Sequence, residues 1–241
     1  MQSATSGLSV MSALAVEVAL NRWIIPEFQS RSGLHLDMKW GPTTVLERDV
    51  GDGRRADVLL AIDDSIDRLV ADGVLVAETR RPIAQAVLGV AVKEGAARYD
   101  ISTLASFKQM LCNAKGVAFS QAGASGIYFR KMIAELGIAE IVEARAVTIP
   151  AGFTAHKVVS GEAELAIQQI SELMTVDGVD ILGPFPPEVQ VTTNFSVAVF
   201  VDAKNPADAR AFVEALCSPE ADIAYRNGGL VSRVSASGMV A

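Results

Sequence analysis

The stretch from Gly116 to Arg130, GVAFSQAGASGIYFR, sets a short apolar strand, a loop of small residues and the start of a helix in immediate succession. The first turn of a helix leaves backbone N–H groups without partners and carries the positive end of the helix dipole. Small residues at such a turn let an anion approach the backbone. Ser125 is placed to cap the helix or to offer its hydroxyl to a ligand. Ile127, Phe129, Ile133 and Leu136 form the expected buried stripe, which Gly137 ends. Taken alone, the stretch is equally compatible with an ordinary strand-to-helix turn.

The same order recurs along the chain. Leu8 to Met11 reads as a buried strand, and Ser12 as the cap of a helix carrying Leu14, Val18, Leu20, Ile24 and Phe28, which Pro26 should kink or end. Leu34, Leu36, Met38 and Trp40 alternate as a second strand, followed by the turn Gly41-Pro42-Thr43-Thr44 with Thr43 or Thr44 as helix cap. Asp57 to Ala61 is a third strand, after which Asp63, Asp64 or Ser65 caps a helix that closes at Gly73. Such alternation implies a parallel sheet with helices on both faces, and ligands bind such sheets beyond the carboxyl ends of the strands.

A second alternation follows. Its expected strands are Leu88 to Val92, the opening stretch, Ala144 to Ile149, Glu164 to Gln169 and Val179 to Leu182. Its helices are one capped by Ser102 or Thr103 and one from Phe153 to Ser160, with His156 on the surface. His35 faces outward in the alternating second strand. Phe195 to Val201 is a further strand, Asn205-Pro206 opens a helix, and a last helix runs from Pro219 to Gly228-Gly229, leaving a loose tail from Ser232. Crossings near residues 83–90 and 194–201 would join two lobes, residues 1–84 plus 203–241 and residues 85–202.

Composition narrows the function. A net charge of −7 with no clustered Lys/Arg stripe argues against a nucleic-acid surface. Cys112 and Cys217 read as separate buried thiols, and with only two histidines the chain has no convincing metal site; no cofactor is expected. The apolar run Leu8 to Leu20 lacks a preceding basic residue and is interrupted by Glu17, so it reads as folded structure rather than an export signal. The expectation is a cytoplasmic location as written, or a periplasmic one if a leader precedes this chain. No apolar segment reaches membrane-spanning length.

In their order, Val10-Met11-Ser12-Ala13, Gly41-Pro42-Thr43-Thr44, Ala56-Asp57-Val58-Leu59-Leu60, the segment Gly161 to Glu172, Pro219 and Gly228-Gly229 resemble the type II periplasmic binding proteins. The likeness is to the molybdate-binding-protein-like branch of the substrate-binding components of ABC transporters. It implies an α/β fold of two Rossmann-like lobes with mostly parallel sheets, joined by two hinge strands and closing on a small anion. It also implies a monomer that hands its ligand to an ABC transporter permease, with no nucleic-acid partner and no membrane insertion. By the same resemblance the ligand is held by Ser12, Thr43 or Thr44, Ala124-Ser125, the Gly152-Phe153 backbone and Gln169. Neutral donors and helix ends can hold a desolvated anion because charge-assisted hydrogen bonds are short and strong.

Two departures from the molybdate binders leave the expected ligand open between an oxyanion such as molybdate and a di- or tricarboxylate, which an amide suits at least as well. Pro42 removes a backbone donor, and Gln169 stands where molybdate binders tend to place a tyrosine. Some proteins similar to this branch isomerise unsaturated tricarboxylates such as aconitate. For that chemistry the base would come from Glu172, Asp63, Asp64 or His156. A cytosolic anion sensor is a third reading of the same fold.

Overall fold

Strands form where the apolar alternation predicts them, and the order in which they pair is what brings the helix starts together. The computed structural model describes residues 7–121 and 123–234, so Ala122 and the tail beyond Val234 lie outside the described residues. The strands are β1 (Gly7–Ala13), β2 (His35–Gly41), β3 (Val58–Ile62), β4 (Arg81–Lys93), β5 (Val117–Ser120), β6 (Ala146–Ile149), β7 (Leu165–Gln169), β8 (Val179–Pro184), β9 (Thr192–Val199) and β10 (Val231–Ser232). The chain divides into two units, Met1–Gln85 with Thr193–Ala241, and Ala86–Thr192.

In the first unit β1 lies between β2 and β3, parallel to both, with Ser12 level with Trp40 on one side and Leu60 on the other. β9 runs antiparallel along β3, from Val58↔Val199 to Ile62↔Phe195. This ladder places residues 193–199 in the first unit, whereas the sequence pattern assigned residues through 202 to the second. Met11, Leu59 and Ala61 pack under Leu46, Val50 and Ile66 from the helices Thr43–Gly51 and Asp63–Ala71. Elsewhere in the unit, the rings of Phe28 and Phe212 lie 5.0 Å apart between the helices Ile25–Ser32 and Pro206–Leu216.

In the second unit β5 lies between β6 and β7, parallel to both, and β7 and β8 flank β4 antiparallel. Period-two alternation sorts side chains by size. Val90, Val92, Val117, Phe119, Leu165 and Ile167 face a core with Phe107, Met110, Phe129 and Phe185. Ala91, Ala118 and Ala166 face the other side, under Ala155, Val158 and Leu173. A face made of alanines lets the short helices Ala155–Val159 and Ile170–Leu173 sit close to the strands.

Several local expectations are corrected. Ser12 does not cap a helix, because β1 runs through it and the cap falls on Ala13. Thr43 and Thr44 are the first two helical residues after the cap Pro42, and Asp63 and Asp64 are the first two after Ile62, with Ser65 third. The chain turns helical as soon as each strand ends, so the polar residues fall inside the first turn instead of before it. Asp63 and Asp64 then face the positive helix end as first-turn acids. By contrast Thr103 does cap its helix, in a reciprocal pair with Ser106.

The run Leu14 to Ser32 is helical but not uniform. Ile25 N–H reaches back five residues to the Leu20 carbonyl, a widened turn just before Pro26. Proline has no N–H to give to Arg22, and the wide turn absorbs that loss. Ile127 is exposed and Met132 takes its place in the stripe with Phe129 and Ile133. A short helix, Ala139–Glu143, precedes β6, so that strand begins at Ala146 and not at Ala144. Cys112 and Cys217 are half-buried free thiols, and burial pushes that of Cys217 up to about 11.

Candidate functional site

In the first unit the candidate groups gather at the carboxyl ends of β1, β2 and β3. Ser12 is fully buried and its hydroxyl donates to the Ala13 carbonyl at 3.2 Å. Because Ala13 is level with Gly41, the turn Pro42-Thr43-Thr44 begins beside it. The Pro42 carbonyl accepts N–H groups from Val45 at 2.9 Å and Leu46 at 3.1 Å. Thr43 and Thr44, as the first two residues of this helix, have N–H groups with no intrahelical acceptor. Thr43 is half-buried and Thr44 exposed.

Asp63, at the end of β3, is committed elsewhere. Its carboxylate accepts from Ser196 Oγ at 2.7 Å and from Arg233 Nη1 at 3.0 Å, with Arg80 3.7 Å away. Burial works to raise its pKa, but the Arg233 and Ser196 hydrogen bonds and the charges of Arg233 and Arg80 hold it below the usual carboxylate range. A carboxylate so stabilised as an anion is a poor proton acceptor.

In the second unit the candidates lie at the carboxyl ends of β5, β6 and β7. Ser120 is level with Ile149, and Ala118 with Ala166, so Ser120, the loop 150–154 and Gln168-Gln169 share one edge. Ser120 Oγ accepts the Gly123 N–H at 2.9 Å, which fixes the turn ahead of the helix Ala124–Glu135. Gly123 is the cap of that helix, so Ser125 is its second residue, buried, and does not cap it. Gln121 donates from its side chain to Thr148 Oγ1 at 2.8 Å.

The loop carrying Gly152 and Phe153 is held by a residue that sequence reasoning missed. Gln168 Oε1 accepts from Thr154 N–H at 2.8 Å and from Thr154 Oγ1 at 2.9 Å, while Gln168 Nε2 donates to the Gly152 carbonyl at 3.0 Å. Gly152 has φ of 93°, a conformation that L side chains rarely adopt. Of two adjacent glutamines in a strand, one must point to each face. Gln168 shares the alanine face with Ala166, where the loop and its following helix pack, and that alternation is the signal that singles it out. Gln169 is the buried final residue of β7, and Glu172 stands half-buried in the next turn.

His156, Asp64 and His35 are exposed. Among the described residues no group of three or more His, Cys, Asp or Glu is arranged to hold a metal ion, and no helix is long and apolar enough to cross a membrane. A recess of about 410 Å³ in the first unit is lined by Glu27, Glu214 and Glu220 together with Arg31. It contains none of the candidate residues, and its carboxylates make it unsuited to an anion.

Residues 8–231 match a family described as bacterial extracellular solute-binding protein. The chain belongs to that family. Among relatives of this solute-binding protein, an aconitate isomerase from a Pseudomonas species is 33% identical over 215 residues, which span 87% of this chain and 82% of that protein. The periplasmic molybdate-binding protein of Azotobacter vinelandii shares the fold with a TM-score of 0.73 at 19% identity, over 93% of this chain and 98% of that one. The sulfate-binding protein of Mycobacterium tuberculosis does so with a TM-score of 0.72 at 17% identity, over 96% of this chain and 88% of that one. The fold is therefore that of the type II periplasmic solute-binding proteins.

Proposed function

We propose that this solute-binding protein captures a small organic polycarboxylate using uncharged donors at the carboxyl ends of its strands. The observation that carries the reading is the character of the groups at the two sets of strand ends. These are hydroxyls of Ser12, Thr43 and Ser125, first-turn N–H groups, the Gly152-Phe153 backbone and the Gln169 amide, without a lysine or arginine among them. An amide that both donates and accepts suits carboxyl groups, and the relative at 33% identity is named for a tricarboxylate. In a transport role the liganded monomer would deliver to an ABC transporter permease.

The test is a thermal-shift series with cis-aconitate, trans-aconitate, citrate and succinate against molybdate, tungstate, sulfate and phosphate. Carboxylates are expected to stabilise the protein increasingly with concentration, by about 2.7 kcal/mol at a hundredfold excess over Kd. A response to molybdate and tungstate alone would reject the carboxylate class. Calorimetric titration of Ser12→Ala and Ser125→Ala is expected to show each binding about 1–2 kcal/mol more weakly. Unchanged affinity in both would remove these residues from the site.

The aconitate isomerase relative favours a second reading, in which the bound tricarboxylate is turned over. Moving its double bond requires a base that takes a proton from one allylic carbon and returns it at the other, while neighbouring donors stabilise the charge that develops. Glu172 is the base of choice, since Asp63 is held by two arginines while Asp64 and His156 are exposed. Proton NMR of cis-aconitate incubated with the protein would show the trans isomer accumulating. Glu172→Gln is expected to abolish that conversion and leave binding within about threefold, since it keeps the hydrogen-bonding amide shape. A wild-type protein that leaves cis-aconitate unchanged would reject turnover and retain the binding reading.

A further inference from the structure

The partners of Gln168 leave its amide one way to stand. The side chain is buried and meets two residues of the loop that follows β6. The Thr154 N–H can only donate, so Gln168 Oε1 faces it, at 2.8 Å, and takes the Thr154 hydroxyl as well, at 2.9 Å. The Gly152 carbonyl can only accept, so Gln168 Nε2 faces it, at 3.0 Å. A carboxylate here would set an acceptor against the Gly152 carbonyl, and an apolar side chain would leave the buried Thr154 donors unpaired. The amide thus grips the loop on both sides of Phe153.

The direction of the peptide between Gly152 and Phe153 follows from its planarity. Among the described residues no peptide bond is cis, and in a trans peptide the C=O and the following N–H point in opposite directions. With the Gly152 carbonyl turned to Gln168, the Phe153 N–H is turned away from Gln168 and from the alanine face of β7 that carries it. Among the described residues that N–H meets no acceptor. There is room beside the loop, since a Cβ on Gly152 would meet nothing within 4 Å. A free backbone donor, fixed in direction and next to open space, suits a negatively charged oxygen.

We infer that Gln168 is a positioning residue: by holding the Gly152 carbonyl it aims the Phe153 N–H at a carboxylate of the bound ligand. The inference rests on the polycarboxylate reading above, and it assigns part of the affinity to a side chain that does not itself touch the ligand.

Citrate or cis-aconitate, whichever the wild type binds more tightly, is the probe. In wild-type protein a saturating concentration is expected to move the Phe153 amide proton downfield in a proton–nitrogen correlation spectrum. An unmoved resonance would overturn the inference with no variant needed. Gln168→Met keeps the length of the side chain and removes both polar ends. Its affinity is expected to fall about tenfold, and at saturation its Phe153 amide proton is expected to lack the wild-type shift. Thr79→Val is the control for lost stability alone, since it removes a buried hydroxyl that donates to the Val76 carbonyl at 2.7 Å and accepts the Val199 N–H at 2.9 Å. That control is expected to melt lower, yet to bind within about twofold of wild type and show the full amide shift. A Gln168→Met protein with wild-type affinity, or with the wild-type shift at saturation, would overturn the inference and leave the polycarboxylate reading intact. A wild type that binds neither probe would overturn both.

Discussion

Gly126→Ala is expected to destabilise the protein by about 3 kcal/mol or more, read as a lowered urea midpoint, although an alanine inside a helix ordinarily gains about 1 kcal/mol over glycine. The reason is a close approach. A Cβ on Gly126 would stand 1.8 Å from the Ser120 carbonyl oxygen and 2.7 Å from its carbon, both main-chain atoms that cannot rotate away. The helix Ala124–Glu135 starts directly over the end of β5, and only a hydrogen fits between them. The substitution would also displace the Gly123-Ala124-Ser125 turn and weaken ligand binding with it. Gly51→Ala is the control, since a Cβ there meets nothing within 4 Å at a helix end. It should be neutral or slightly stabilising, and a Gly126→Ala protein as stable as that control would show that the helix does not cross β5 so closely.

Asp57→Ala is expected to cost about 3–5 kcal/mol, and to lower the melting temperature by roughly 10 °C. The Asp57 carboxylate is 1% exposed by residue and takes hydrogen bonds from Ser9 N–H at 2.8 Å, Ser9 Oγ at 2.7 Å and Asn205 N–H at 3.0 Å. It thereby ties β1 to the start of β3 and to the entry of the helix Pro206–Leu216. Alanine would strand three half-buried donors at once. Burial works to raise the pKa of Asp57, but the Ser9 and Asn205 hydrogen bonds outweigh it and hold the group below the usual carboxylate range. A depressed folded pKa contributes stability above the unfolded value of about 3.9, and that stability is lost as pH falls through the folded value. Wild-type protein should therefore lose stability more steeply than Asp57→Asn below about pH 4. Parallel acid limbs for the two proteins would show that these hydrogen bonds do not depress the pKa.

The contrast between these two residues and the expected ligand groups shows where sequence reading reached its limit. The small residues of the Gly116–Arg130 stretch read as room for an anion, yet Gly126 is small because a strand carbonyl lies against it. Gln169 was legible as a strand-end amide. Gln168 was not, because its work is done through the loop 150–154, fourteen residues earlier in the chain. Asp63 read as a cap or a possible base, but Arg233, which occupies it, is 170 residues away. No local pattern announces a partner at that distance.

Unaided, the sequence determined the α/β alternation, the strands and helices within a few residues, and the likeness to solute-binding proteins. Apolar periodicity and the turn residues that interrupt it are local and survive any rearrangement of distant parts. What only the tertiary structure decided was which polar side chains are already spent on one another. Asp63 is taken by Ser196 and Arg233, and Gln168 by Thr154 and Gly152, because hydrogen bonds between distant strands and loops exist only once the chain has folded.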